Sequence, residues 1–290
     1  MNKRILLAIL IAVLLGSCNS PELKQKPSVV VSILPQKYFV EQIADTLINV
    51  EVMVPPGSSP ETYEPTAMQL QMFSKAKLYF SLGLLDFEKT TLKKVADQNS
   101  SVRVINHASS LNLIEGSCDH SHEGHSHAHG HDPHVWLSPV EVSAMKADIL
   151  AALSEQFPQY ANNFASNANN FQADIDSLNN YISHSLSSHK GAKIFIFHPA
   201  LTYFVRDYSL VQVSLEEEGK SPSAMHLKKV MEQARNEGAK TIFIQKEFDA
   251  NTAKTAAADI GGEIVVINPL EANWLSNMYS ITEKVKKAVE

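Results

Sequence analysis

Short apolar runs alternate along this chain with segments whose apolar residues recur at steps of three and four. A short continuous apolar run rich in β-branched residues is the pattern of a strand covered on both faces. Residues 28–33 (S-V-V-V-S-I) have it, and strands are likewise predicted at 50–54, 78–81 and 102–106. Between them, residues 35–45, 66–76 and 87–97 carry helical spacing, and the first of these starts at a proline, as helices tolerate. The same order returns after residue 190. Strands are predicted at 192–197 (A-K-I-F-I-F), 210–213, 241–245 (T-I-F-I-Q) and 264–267, with helices at 200–207, 223–237 and 251–260 and an amphipathic closing helix ending at Val289.

Two helices are predicted between these blocks. Residues 139–157 form one, opened by Ser138-Pro139. Residues 159–190 contain neither Gly nor Pro, and Tyr160, Phe164, Ala168, Phe171, Ile175, Leu178, Ile182 and Leu186 fall on one face. About thirty residues at 1.5 Å each give roughly 45 Å, enough to run along a whole domain. The asparagines on the other face weaken its intrinsic propensity, so docking must hold it. The pattern therefore predicts an α/β fold of two lobes. Each has a mostly parallel sheet flanked by helices, and one long linking helix joins them, with the ligand in the interlobe cleft. The expected division is a signal peptide at 1–17, a tether at 18–27, an N-terminal lobe at 28–157, the linking helix at 158–190 and a C-terminal lobe at 191–290.

Composition removes several function classes. With 290 residues and 44% apolar content the chain can bury sizeable cores. A net charge of −6 leaves no basic stripe for phosphates, so no nucleic-acid partner is expected. Two cysteines cannot build a disulfide framework. The outlier is histidine: of twelve, seven lie between His120 and His134. The chain opens with Lys3 and Arg4, then an apolar run at 5–15 too short to span a bilayer, then Leu15-Gly16-Ser17-Cys18. That end resembles the lipobox of bacterial lipoproteins, which implies cleavage before Cys18 and lipidation of its thiol. Cys118 would then be the single remaining thiol.

Candidate chemistry sits at the ends of predicted strands or on the loops after them: P-E-T-Y-E-P at 60–65, D-P-H-V-W-L at 132–137 and F-H-P-A at 197–200. His134 and His198 are the sharp candidates, because neutral imidazole is the commonest metal ligand. Before them lies a tract of His120, His122, His125, His127, His129 and His131 among Gly, Ser and Ala. Such a segment cannot form a core and suits loose, exchangeable coordination of a borderline-soft cation such as zinc. Enzyme signatures fail: His122-Glu123-Gly124-His125 is one residue short of H-E-x-x-H, and neither G-x-S-x-G nor a phosphate loop occurs.

The motifs P-G-S-S-P-E-T-Y-E-P-T (56–66), D-P-H-V-W-L-S-P (132–139), F-H-P-A-L-T-Y-F (197–204) and E-E-E-G-K-S-P-S (216–223), in this order, resemble the metal-specific solute-binding proteins of ABC importers, the cluster A-I or ZnuA-like family. The histidine tract just before the second motif is typical of its zinc-transporting branch. The resemblance implies two lobes on one long helix, one metal ion in the cleft, and delivery to a membrane permease. It puts His134 and His198 on the family's second and third ligand positions. The first position, usually histidine, holds Glu61 here, and the fourth, often aspartate, holds Asn268. Glu61, His134 and His198 make a two-histidine, one-carboxylate set suited to zinc. A water, Asn268 or a tract histidine would complete it, and more oxygen ligands would favour manganese or iron.

The expected function is thus an extracytoplasmic Zn2+ receptor without catalysis. It would be a monomer, lipid-anchored through Cys18 to a bacterial membrane in the periplasm or at the cell surface, with an ABC permease as its partner. The alternatives are a Mn2+ or iron receptor of the same family, a zinc-dependent hydrolase, and a metal-sequestering adhesin lipoprotein. Free imidazole titrates near about 6.5, so zinc affinity is expected to fall towards pH 5.

Overall fold

The apolar runs become two four-stranded parallel sheets. The first contains β1 (Ser28–Val31), β2 (Asn49–Val52), β3 (Leu78–Ser81) and β4 (Arg103–Asn106) in the order β2-β1-β3-β4. The second contains β5 (Lys193–Ile196), β6 (Val211–Ser214), β7 (Thr241–Gln245) and β8 (Glu263–Ile267) in the order β6-β5-β7-β8. The second lobe therefore repeats the topology of the first. Val29 pairs with Val50 on one side and Leu78 on the other, and Phe195 pairs with Val213 and Ile242. Val29, Val30, Val31, Leu78 and Phe80 are fully buried, as strands covered on both faces must be. This computed structural model describes residues 26–98, 101–115, 130–216, 222–248 and 250–290. The expected signal segment with Cys18, and the tract from His120 to His129 with Cys118, lie outside the described residues.

In the first lobe the helices are α1 (Leu34–Ala44), α2 (Ala67–Lys75) and α3 (Lys93–Gln98). The linking pair is α4 (Pro139–Gln156) and α5 (Ala161–Leu186). The second lobe has α6 (Thr202–Asp207), α7 (Ala224–Asn236), α8 (Ala250–Asp259) and α9 (Trp274–Val289). Caps fix the starts: Ser138 accepts from the Glu141 N–H at 3.1 Å, and Thr66 with Gln69 forms a capping box. The helix expected at 87–97 opens instead with a π-helical turn, Glu88–Leu92. Buried Glu88 is the physical reason, since its carboxylate accepts from the N–H groups of Leu82, Leu84 and Leu85 at 2.8, 3.0 and 3.1 Å and draws that loop tight. Gly83 in the same loop has φ +77°, and a Cβ there would lie 1.8 Å from Asn106 Oδ1, so only glycine fits.

The linking helix is shorter than its pattern, because 3-10 turns at Pro158–Tyr160 and Ser187–His189 flank it. Its buried face is Phe164, Ala168, Phe171, Ile175, Leu178, Ile182 and Leu186, all of them positions in the sequence pattern. That face docks on α1, α4 and α9. The last helix thereby returns to the first lobe: the Trp274 ring meets Phe39 edge-on at 5.1 Å, and Phe171 stacks on Phe39 at 6.0 Å. One core runs through the first lobe, the linking helix and α9, while Phe195, Ile242, Ile244, Val230 and Met231 belong to a second, smaller one.

Polar pins join the lobes beside the cleft. Trp136 Nε1 donates to Pro269 O at 2.8 Å, and Trp274 Nε1 donates back to Trp136 O at 2.6 Å. Tyr203 of α6 donates its hydroxyl to Asp132 O at 2.9 Å and accepts from Ile114 N at 3.1 Å. Arg206 reaches Asn112 O and Glu141 Oε1, both at 2.7 Å, and the Ser138 hydroxyl donates to Asp207. The segment 132–138 is thus held from both sides.

Candidate metal centre

Each candidate ligand enters from beyond the carboxyl end of a strand, the edge at which parallel α/β sheets place their sites. Glu61 follows β2 by way of Pro55-Pro56-Gly57, where Gly57 has φ +85° and turns the chain. Tyr63 anchors this loop by donating to Gln69 Oε1 at 2.7 Å and meeting Phe87 edge-on at 5.9 Å. His134 immediately precedes the 3-10 turn Val135–Leu137, whose three residues are wholly buried. His198 stands two residues past β5, its ring stacked on Phe248 at 4.9 Å.

The three side chains converge. His198 Nε2 lies 3.4 Å and His134 Nε2 3.7 Å from Glu61 Oε1, and one ligand atom from each of the three residues falls within 4.8 Å of the others. For bonds of about 2.0–2.1 Å to a tetrahedral ion, ligand atoms should be about 3.4 Å apart, close to these spacings. The histidine side chains are 7% and 9% exposed and Glu61 is 32% exposed, so Glu61 sits on the open side.

Both imidazoles are braced from behind. Asp132 Oδ1 takes the backbone N–H of His134 at 2.8 Å and its Nδ1 at 2.9 Å. Glu216 Oε2 takes His198 Nδ1 at 2.5 Å. A carboxylate only accepts, so Nδ1 carries the proton in each ring and Nε2 is the nitrogen turned to the cleft. Burial works against an ionised Asp132, but the His134 charge and the hydrogen bonds from His134 and Thr202 outweigh it and hold its pKa below the usual range. Burial also works against Glu61, and there the His198 hydrogen bond and the two imidazole charges prevail, again lowering the pKa. For His198, burial disfavours the charged ring, yet hydrogen bonds and charge from Glu216 and Glu61 push its pKa up to about 9.

Of the sequence candidates, the structure brings together Glu61, His134 and His198. Asn268 is not in the wall of their small cavity, and its side chain is already engaged. Nδ2 donates to Glu271 Oε2 at 2.9 Å and Oδ1 accepts from Leu270 N at 3.2 Å. The tight turn into Pro269-Leu270 explains this: Asn268 closes it, so the next two residues line the cavity instead. His131 is exposed at the base of the tract, where it forms an antiparallel bridge with Glu115. His120, His122, His125, His127 and His129 lie outside the described residues. Sequence reasoning missed the bracing roles of Asp132 and Glu216, although both lie in the motifs it singled out. It also missed Gln245 and Glu247, which line the same cavity. A glutamine ending an otherwise apolar strand was the available signal.

The fold and site define a two-lobed α/β protein in whose cleft two histidines and a glutamate converge. The chain belongs to the family described as ZnuA, zinc-uptake complex component A periplasmic, whose model matches residues 29–288. The zinc-binding lipoprotein AdcA of Streptococcus pneumoniae (strain ATCC BAA-255 / R6) is 29% identical over 297 residues, covering 99% of this chain. That alignment takes in 57% of the relative, so the chain spans little more than half its length. A crystal structure of ZnuA matches with a TM-score of 0.84 and 33% identity over 92% of this chain and 100% of that one. A zinc-bound ZnuA deletion mutant matches at 0.83 and 33%, over 92% and 99%. The expected two-lobe architecture and family resemblance both hold.

Proposed function

We propose that the protein is an extracytoplasmic receptor that captures Zn2+ between its lobes and passes it to an ABC-type permease. The observation that carries this reading is the meeting of Glu61 with two imidazoles whose Nδ1 atoms are tied to carboxylates. Two neutral nitrogens and one carboxylate suit a borderline ion such as Zn2+, whereas Mn2+ favours a fuller set of oxygens. The names of its relatives, a zinc-binding lipoprotein and a zinc-uptake component, point the same way.

The ion is cargo in this reading, and the site binds without catalysis. Glu61 is taken as a ligand, while Asp132 and Glu216 are committed to the imidazoles. Zinc-loaded protein should therefore release no product from ester, phosphate or peptide substrates. One chain supplies all three ligands, so a monomer suffices. Lipidation at Cys18 would hold the receptor on the outer side of a bacterial membrane; no helix among the described residues is long and apolar enough to cross one. The tract histidines would bind additional zinc only weakly, since a Gly- and Ser-spaced sequence loses conformational entropy on closing round an ion.

The test is a competitive metal titration of the purified protein. Zn2+ should bind with 1:1 stoichiometry at the tight site and in preference to Mn2+, and His134→Ala or His198→Ala should abolish tight binding. Retention of wild-type affinity by both variants would overturn the assignment.

A further inference from the structure

The cleft wall holds one more polar side chain with a hydrogen bond unmade. Gln245 ends β7 and is 2% exposed. Its Nε2 donates to the backbone carbonyl of His198 at 2.6 Å. A carbonyl oxygen only accepts, so this bond fixes which end of the amide faces His198. The other end, Oε1, is buried and has no hydrogen-bond partner among the described residues. Native proteins seldom keep a buried acceptor unpaired unless a water, ion or ligand is to meet it. Gln245 lines the same cavity as Glu61, His134 and His198.

Three protein ligands leave a tetrahedral zinc one position for water. A water polarised by a dication is a strong hydrogen-bond donor, the type of group that Oε1 lacks. The cavity measures about 30 Å³, room enough for a single water. We infer that Gln245 is a positioning residue of the ion site, its free Oε1 accepting a hydrogen bond from the water that completes the coordination of the bound cation. The inference rests on the receptor reading and adds a consequence to it. An amide oxygen at this point favours a neutral, proton-donating fourth ligand and opposes an anion, whose lone pairs would face its own.

Gln245→Met keeps the side chain's length while removing the acceptor. In a competition titration its zinc affinity should fall about tenfold, as is typical when an outer partner is lost. The decisive readout is azide binding to the Co2+-substituted protein, followed by visible absorption. With the water no longer held and the amide oxygen gone, azide should bind the variant about tenfold more tightly than wild type. A merely structural role through the His198 carbonyl would weaken zinc and leave azide unmoved, and that result, or no change in either, overturns the inference. Gln245→Leu serves as a second variant should the methionine form fail to fold. Failure of wild-type protein to bind zinc or cobalt, or binding indifferent to His134→Ala and His198→Ala, would instead remove the receptor reading itself.

Discussion

Glu216 holds His198 from behind: its Oε2 lies 2.5 Å from Nδ1, both side chains are buried, and Nε2 is left facing Glu61 at 3.4 Å. Two carboxylates on one imidazole outweigh its burial and push its pKa up to about 9. In the metal-free protein at neutral pH the ring therefore carries a proton that a cation binding through Nε2 would have to displace.

Zinc affinity should accordingly climb about tenfold per pH unit between roughly pH 7 and 9, with close to one proton released on binding. The stability of the metal-free protein has the opposite sign. The folded pKa of His198 lies above its unfolded value of about 6.5, so its contribution is fully present below that value and is lost as pH rises through about 9. Calorimetric titrations in two buffers of different ionisation enthalpy measure the proton, and urea melts at pH 6.5 and 9 measure the stability. Zinc affinity unchanged from pH 7 to 9 would take His198 out of the ligand set.

The brace itself can be tested with Glu216→Gln. Without the anion, the ring is left with a weaker, neutral amide acceptor and loses the main support for its raised pKa. Zinc affinity at pH 9 should fall by about 10–100-fold. The steep part of the pH dependence should also move to lower pH, because a less basic imidazole competes less well for protons. A variant with weaker zinc binding but an unmoved pH profile would show that Glu216 acts on packing alone.

Much of this was legible in the chain. The strand runs and the eight-residue stripe of the linking helix specify parallel lobes because fully covered strands and one-sided helices leave periodic marks. His134 and His198 could be picked out because each neighbours a proline in a loop beyond a strand, whereas Glu61 was reached through the family resemblance of its motif. The path of α9 was not legible: its amphipathic pattern is the same whether it covers its own lobe or, as Trp274 does, packs on Phe39 of the other. Nor was the disposition of Asn268, since its residue type fits ligation and turn closure equally well, and only the Glu271 and Leu270 contacts decide. The rise in the His198 pKa is likewise a product of tertiary contact, as Glu216 lies eighteen residues away on the loop after the neighbouring strand.

The exchange between Trp274 and Trp136 gives a stability prediction. Trp274→Phe removes the 2.6 Å bond to Trp136 O while keeping a ring among Tyr38, Phe39 and Phe171, and should cost about 1–2 kcal/mol. Trp274→Ala opens a cavity in a fully buried position and should cost about 3–5 kcal/mol. Denaturant midpoints of the metal-free protein measure both. Because Trp136 lies two residues beyond His134 and its ring is 5.2 Å from that imidazole, the alanine variant should also bind zinc more weakly. Equal midpoints for the two variants would show that ring packing contributes little here.

Glu61 carries the last prediction. Its carboxyl stays ionised well into the acid range, because the His198 hydrogen bond and the two imidazole charges overcome its burial. It is therefore not the group that titrates between pH 7 and 9, and it offers the incoming dication a negative charge that neutral imidazoles do not. Glu61→Ala should weaken zinc binding tenfold or more, at about 1.4 kcal/mol per factor of ten. The size of the loss should depend on pH. Glu61 also supports the raised pKa of His198, so its removal eases proton competition at pH 7 and hides part of the lost ligand. By pH 9 that compensation is small and nearly the full loss should appear. Glu61→His should restore binding and shift selectivity towards Zn2+ over Mn2+, since an oxygen ligand is exchanged for a nitrogen. Wild-type affinity in Glu61→Ala at pH 9 would mean that the carboxylate 3.4 Å from His198 is a neighbour of the ion and not its ligand.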